Sequence, residues 1–194
     1  MHRTAIVAAT LAAILPAAHL PDAEAAPREE ALRADLVRGL LEVCIPAQTR
    51  EASAKAFVDD RTGALGLRPM RFSNTTNRDA WMLSSDRRAT LFSDPDLCYV
   101  SVEVRTVGEP RLVADLHADL LALSAVEPNV TGTPEGASFA AGYCAQLRDG
   151  GLASFNMLSS VSGMEPGLGR VAPGQRRTVV VSAPRVSECG GAGD

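Results

Sequence analysis

Four widely spaced cysteines constrain what this chain can fold into more than any other feature. Neighbouring cysteines are 54, 46 and 45 positions apart, so none forms a close pair. They are Cys44, Cys98, Cys144 and Cys189. Redox centres of the thioredoxin type and structural zinc sites both draw on close pairs of cysteines, and this spacing offers none. The four thiols therefore favour two structural disulfides, provided that the protein matures in an oxidising compartment.

The N-terminus has the three parts of a secretory signal. Arg3 supplies the positive charge, residues 5–15 form an apolar run, and the triplet 23–25 has the small-x-small pattern of a cleavage site. We predict that residues 1–25 are a signal peptide and that residues 26–194 form a single disulfide-bonded globular domain with a frayed C-terminal tail. Such a domain is expected in the periplasm or outside the cell.

Side-chain phase favours one of the three possible disulfide pairings. Cys44 falls on the apolar face of a predicted helix and Cys98 on the apolar face of a predicted strand, so both should lie between helix and sheet. Cys144 is out of phase with Phe139 and Tyr143, which places it on the solvated face, where the tail bearing Cys189 can reach it. The phases predict Cys44 bonded to Cys98 and Cys144 bonded to Cys189.

Charge and hydropathy limit the partners. Removal of the predicted signal deletes Arg3, Asp22 and Glu24, which changes the formal net charge from −4 to −3. This mildly acidic balance gives no basic footprint for nucleic acid. No later segment is long and apolar enough for a membrane span after cleavage. Lys55 is the only lysine, and this preference for arginine, together with abundant alanine, is typical of a bacterial genome rich in G and C.

Hydrophobic periodicity predicts an α+β fold: a mainly antiparallel sheet of about five to six strands, with helices packed on one face. Helical spacing covers 29–44, where Pro46 should end the helix, and 111–125, with a weaker helix at 50–58. Strand patterns cover 80–84, 89–93, 97–106, 138–147, 152–161 and 177–183. We expect loops at 59–79 and 162–176, and the sequence contains no convincing internal repeat.

The strand phases also predict a solvated sheet face. Its polar side chains are Ser101, Glu103, Arg105, Gln146, Ser154 and Asn156. This face and the two loops are the candidate binding surfaces, because recognition residues are commonly held on such surfaces by a rigid scaffold. Trp81, the only tryptophan, should pack within the first strand, and the alternative is an exposed binding anchor.

No catalytic, cofactor-binding or metal-binding residue is assigned from the sequence. His117 is the only histidine after residue 25, and its position beside an apolar helical stripe is typical of a residue at the edge of the core. The acidic groups Asp59-Asp60 and Asp94-x-Asp96 fit turns better than paired catalytic carboxylates. No nucleophile elbow, phosphate loop or zinc-protease motif is present in the sequence.

These observations favour an exported, periplasmic, non-enzymatic protein that binds a protein or a cell-envelope ligand and uses no cofactor. Two alternatives remain. One is a small secreted hydrolase that uses carboxylates or His117, and the other is a secreted inhibitor or effector.

Overall fold

Antiparallel sheet dominates the structure. The computed structural model describes residues 25–48, 57–59, 62, 66–70, 79–83, 88–93, 97–105, 111–146, 151–162, 175–184 and 189. Within these residues, eight strands form one sheet in the order β1-β2-β3-β4-β8-β7-β6-β5, and all neighbouring strands are antiparallel. The strands are β1 (Arg68–Met70), β2 (Asp79–Met82), β3 (Ala89–Ser93), β4 (Leu97–Arg105), β5 (Asn129–Gly132), β6 (Ser138–Gln146), β7 (Leu152–Val161) and β8 (Arg176–Pro184).

The helices are fewer and short. They are α1 (Ala25–Arg38), a π-helical turn (Gly39–Cys44), α2 (Ile45–Gln48) and α3 (Leu112–Leu123). Within the described residues, the chain therefore shows helical structure followed by four strands, twice in succession. We call Ala25–Arg105 the N-terminal half and Leu112–Pro184 the C-terminal half. Their last strands, β4 and β8, pair along nine residues at the centre of the sheet.

The core is filled from alternate positions of the long strands. Every second residue of β4 is buried. These residues are Cys98, Val100, Val102 and Val104, and each is at most 2% exposed. Leu36 and Leu40 of the helical segment are fully buried in the same apolar cluster. Because a strand alternates its side chains between two faces, the intervening residues of β4 point the other way.

The π turn brings the helical segment closest to the sheet. It contacts both central strands, β4 and β8. A Cβ added to Gly39 would lie 2.6 Å from Cγ2 of Val100 and 3.0 Å from Cδ2 of Leu83. Glycine is therefore required here for a close approach between backbone and strand.

Polar contacts join the helices of the two halves. Arg33 of α1 forms ion pairs with Asp119 (2.8 Å) and Asp115 (3.4 Å) of α3. The carboxylate of Glu29, which is buried, accepts a hydrogen bond from the backbone N–H of Arg111 at 2.8 Å. These contacts fix the start of α3 beside α1, while α3 also contacts β6.

The predicted fold class is wrong. The structure is mostly an eight-stranded antiparallel sheet with three short helices, and not an α+β fold of five to six strands with helices packed on one face. The strands missed are β1, within the predicted loop 59–79, and β5, within a segment rich in proline and glycine. Both edge strands have three or four residues, too few to display alternation, and Pro69 is tolerated in β1 because an edge strand need not use every N–H.

The helix boundary at Pro46 is also wrong, because the chain stays helical to Gln48. The π turn precedes this proline, and the backbone N–H of Ile45 donates to the carbonyl of Leu40, five residues back. Because the π turn shifts the hydrogen-bond pattern of the backbone, the helix continues past Pro46, which has no N–H to donate. Of the predicted helix 50–58, residues 50–56 lie outside the described residues, and residues 57–58 are helical as predicted. No helix in the described part of the chain is long and apolar enough to cross a membrane.

Candidate functional site

One face of the sheet points away from the core, and we call it the open face. Five of its positions form a row across the strands, because they are successive register partners. The row consists of Tyr99, Ser182, Asn156, Gly142 and Asn129. The open face thus aligns an aromatic ring, a hydroxyl and two amides perpendicular to the strands.

A depression interrupts the open face at Gly142. Its volume is about 320 Å³. It is lined by Asn129, Thr131, Ala140, Ala141, Gly142, Asn156, Leu158 and Ser182. The depression exists because β6 contributes only the small residues Gly142 and Ala140 to this part of the open face. The side chains on the flanking strands β5 and β7 are longer. A Cβ at Gly142 would lie 3.3 Å from Oδ1 of Asn156, so even alanine would narrow it. We call it the Gly142 depression.

An aromatic pair lies in line with this depression. Phe92 of β3 and Tyr99 of β4 stack with ring centroids 4.8 Å apart and planes 14° apart. Tyr99 is the register partner of Ser182, which lines the depression. The surface therefore combines ring edges and faces with hydroxyl and amide groups, which suits non-covalent recognition of an uncharged polar ligand.

A second depression, of about 380 Å³, lies at the end of the central strands. It is lined by Arg28, Arg88, Glu103, Val104, Arg105 and Arg176, and we call it the arginine groove. Arg105 and Arg176 are direct register partners on β4 and β8. Nη1 of Arg176 donates to Oε1 of Glu103 at 2.6 Å. Among the described residues, the lining thus includes four arginines and one glutamate.

His117 lies away from both depressions. Its Nδ1 is 2.6 Å from the hydroxyl oxygen of Tyr143, and its ring meets Phe139 edge-on at a centroid distance of 5.1 Å. Tyr143 in turn stacks on Phe155. Burial raises the pKa of Tyr143 well above its ordinary value, so the phenol keeps its proton. The hydrogen bond joins α3 to β6 through a pair of rings at the edge of the core.

The cysteines form two disulfides of different surroundings. Cys44 of the π turn is bonded to Cys98 of β4, and both residues are fully buried. Cys144 of β6 is bonded to Cys189, which lies beyond the end of β8. Cys144 follows the phase of the open face, yet it is only 8% exposed.

Three of the six solvated residues predicted from sequence line a depression. Asn156 lines the Gly142 depression, and Glu103 and Arg105 line the arginine groove. Ser101, Ser154 and Gln146 follow the open-face phase but line neither of them. Trp81 is 3% exposed in β2, which excludes the exposed anchor.

Other candidates lie largely outside the described residues. These are Asp60, Asp94 and Asp96, residues 71–78 of the first predicted loop and 163–174 of the second. Sequence reasoning missed Arg28, Arg88 and Arg176, because their convergence depends on strand pairing between distant parts of the chain.

Comparisons with known proteins give no match: no family model, no curated protein and no solved structure resembles this chain significantly. Within the described residues, no group of three or more His, Cys, Asp and Glu side chains is arranged to hold a metal ion.

Proposed function

We propose that this chain is an exported, non-enzymatic binding protein that takes a protein or a cell-envelope ligand on the open face of its sheet. The Gly142 depression carries this proposal, because it is a concave, largely uncharged surface with several hydrogen-bonding groups. Its volume of about 320 Å³ is near the lower end of small-molecule sites, so it suits a short polar part of a larger ligand.

The chemistry of the lining supports binding. Asn129 on β5 and Asn156 on β7, the strands on either side of β6, supply amide donors and acceptors, and Ser182 supplies a hydroxyl. Leu158, half exposed on the same face, adds an apolar contact. A polar ligand would gain hydrogen bonds that fix its orientation while covering this exposed apolar side chain.

Export is part of the proposal. The two disulfides are compatible with a secreted protein, since such bonds persist mainly in oxidising compartments. The signal pattern of residues 1–25 supports the same destination, and we propose the periplasm of a bacterium.

No observation favours the hydrolase alternative. Nδ1 of His117 is engaged with Tyr143, and among the described residues neither depression is lined by His117 or by two carboxylates. A general base needs access to the proton that it removes, and the ring pair lies away from both depressions.

The test is affinity capture from envelope extract with the oxidised full chain and two variants of equal charge change. Asn156→Arg fills the Gly142 depression, and Ala122→Arg places the same side chain on the exposed surface of α3. We expect the wild type and Ala122→Arg to retain the same partner, identified by mass spectrometry, and Asn156→Arg to lose it. Retention by all three proteins, or by none, contradicts the proposal.

A further inference from the structure

The arginine groove differs from the other arginine sites of the structure in its balance of charge. Arg33 lies between two aspartates, and Arg177 donates to the carbonyl oxygens of Pro134 (2.7 Å) and Gly136 (2.8 Å). The described residues that line the groove instead include four arginines and one glutamate, Glu103, which gives these residues a formal charge of +3. The whole chain carries −4, so positive charge is concentrated here against the overall balance.

The strand register holds two of these charges together. Arg105 and Arg176 are directly opposite on β4 and β8, an arrangement that destabilises a strand pair because the like charges repel. Glu103 offsets part of this repulsion through its ion pair with Arg176. Both partners are more than half exposed, at 51% and 67%, and an ion pair so exposed stabilises a fold little. Arg176 is therefore able to exchange Glu103 for another anion.

The geometry points to a ligand class. Guanidinium groups bind oxyanions through two parallel N–H donors, and a cleft lined by one sign of charge concentrates counter-ions. The groove is about 380 Å³, large enough for a small molecule with more than one charged group. We propose that the arginine groove binds a multiply charged phosphate-type oxyanion, held by Arg105 and Arg176 with Arg28 and Arg88 at its margin.

The groove is independent of the proposed function, because it shares no described lining residue with the Gly142 depression. The probe is inorganic pyrophosphate, titrated calorimetrically into the oxidised full chain at low ionic strength. We expect Arg105→Gln and Arg176→Gln each to weaken binding by about tenfold or more, the usual effect of removing a charged hydrogen bond. Arg111→Gln removes an equal charge from a side chain 77% exposed outside the groove, and it should leave affinity within about twofold.

A variant that is expected to bind pyrophosphate more tightly distinguishes loss of the site from loss of the fold. Glu103→Gln removes the internal competitor of the ligand and should tighten pyrophosphate binding severalfold, an effect that a damaged fold cannot produce. Absence of binding by the wild type, equal losses in Arg105→Gln and Arg111→Gln, or weaker binding in Glu103→Gln would each overturn the inference.

A further arm identifies the source of the oxyanion. The lipid probe is phosphatidic acid, whose phosphomonoester headgroup can carry a second negative charge near neutral pH. Flotation with phosphatidic acid vesicles, but not with phosphatidylcholine vesicles, that is lost in Arg105→Gln assigns the phosphate to a lipid headgroup. Pyrophosphate binding without such flotation assigns it to a soluble ligand, and both results support the site.

Discussion

The two halves of the molecule share an order of elements but differ in what holds them together. In the N-terminal half, a helical segment continuous from Ala25 to Gln48 precedes strands of 3, 4, 5 and 9 residues. In the C-terminal half, a 12-residue helix precedes strands of 4, 9, 10 and 9 residues. The long strands of the second half pair extensively with one another, whereas three of the first half's strands are short.

The disulfides follow this difference. In the N-terminal half the bond from Cys44 to Cys98 joins the helical segment to the longest strand inside the core. In the C-terminal half the bond from Cys144 to Cys189 joins a strand to the segment beyond β8. The comparison indicates that the first half depends on its helix for stability, while the second half is stabilised by its own ladder. The Gly142 depression lies in the half that carries its own strand pairing.

The largest expected effect comes from deleting the two disulfides separately. Loops of 54 and 45 residues have similar closure entropy, about 4 kcal/mol each in the unfolded chain. Cys44→Ala with Cys98→Ala also leaves a void in the core, so we expect a total loss of about 5 kcal/mol. Cys144→Ala with Cys189→Ala frees the segment after β8 in the folded state, which offsets part of the loss and leaves about 2 to 3 kcal/mol. Urea unfolding of the two double variants measures the difference, and equal losses would remove the proposed asymmetry.

A smaller loss of stability is expected when one glycine in each half, Gly39 or Gly142, is replaced by alanine. Gly39→Ala forces a Cβ to within 2.6 Å of Val100, and overpacking of this kind costs about 1 to 3 kcal/mol, more than the helical preference of alanine returns. Gly142→Ala meets only the end of the Asn156 side chain at 3.3 Å, so we expect less than about 1 kcal/mol. Thermal unfolding compares the two variants. If Gly142→Ala proved the more destabilising, the close helix–strand approach would not be what holds the N-terminal half.

The smallest effect concerns the two tyrosines, one from each half. Tyr143→Phe removes the hydrogen bond to His117 and should cost about 1 kcal/mol near neutral pH, whereas Tyr99→Phe on the open face should cost less. Because burial raises the pKa of Tyr143 above its ordinary 10.0, the unfolded chain loses this proton first as pH rises. The contribution of Tyr143 to the free energy of unfolding is therefore fully present below pH 10. Above pH 10 it falls, by up to about 1.4 kcal/mol per pH unit.

Unfolding midpoints measured from neutral to alkaline pH test this sign. The fall above pH 10 should weaken in Tyr143→Phe and persist in Tyr99→Phe. Identical alkaline profiles for the two variants would mean that Tyr143 is not the group responsible.

The sequence predicted the six inner strands and missed the two edge strands, β1 and β5. The patterns at 97–106, 138–147 and 152–161 correspond closely to β4, β6 and β7, because alternation over nine or ten residues is a strong signal. β1 and β5 have too few residues for any period to appear. The repeated succession of elements was invisible because the halves share an order of elements and not a residue pattern.

The candidate site could be predicted only where it depends on local phase. Alternation along single strands marked Glu103, Arg105 and Asn156 as solvated, and these residues line the two depressions. Arg105 and Arg176 are 71 positions apart in the sequence, and they become neighbours only because β4 pairs with β8. The Gly142 depression likewise could not be predicted without knowing which side chains of β5 and β7 flank Gly142.

One disulfide lies inside the core and the other joins β6 to Cys189 beyond β8, and peptide mapping of the oxidised protein checks this pairing. Trypsin cleavage after arginine places the four cysteines on four different peptides, 39–50, 89–105, 112–148 and 186–194. Mass spectrometry of the oxidised protein without reduction should recover 39–50 linked to 89–105 and 112–148 linked to 186–194. Recovery of 39–50 linked to 112–148 would contradict the account, because Cys44 would then be joined to a strand of the other half.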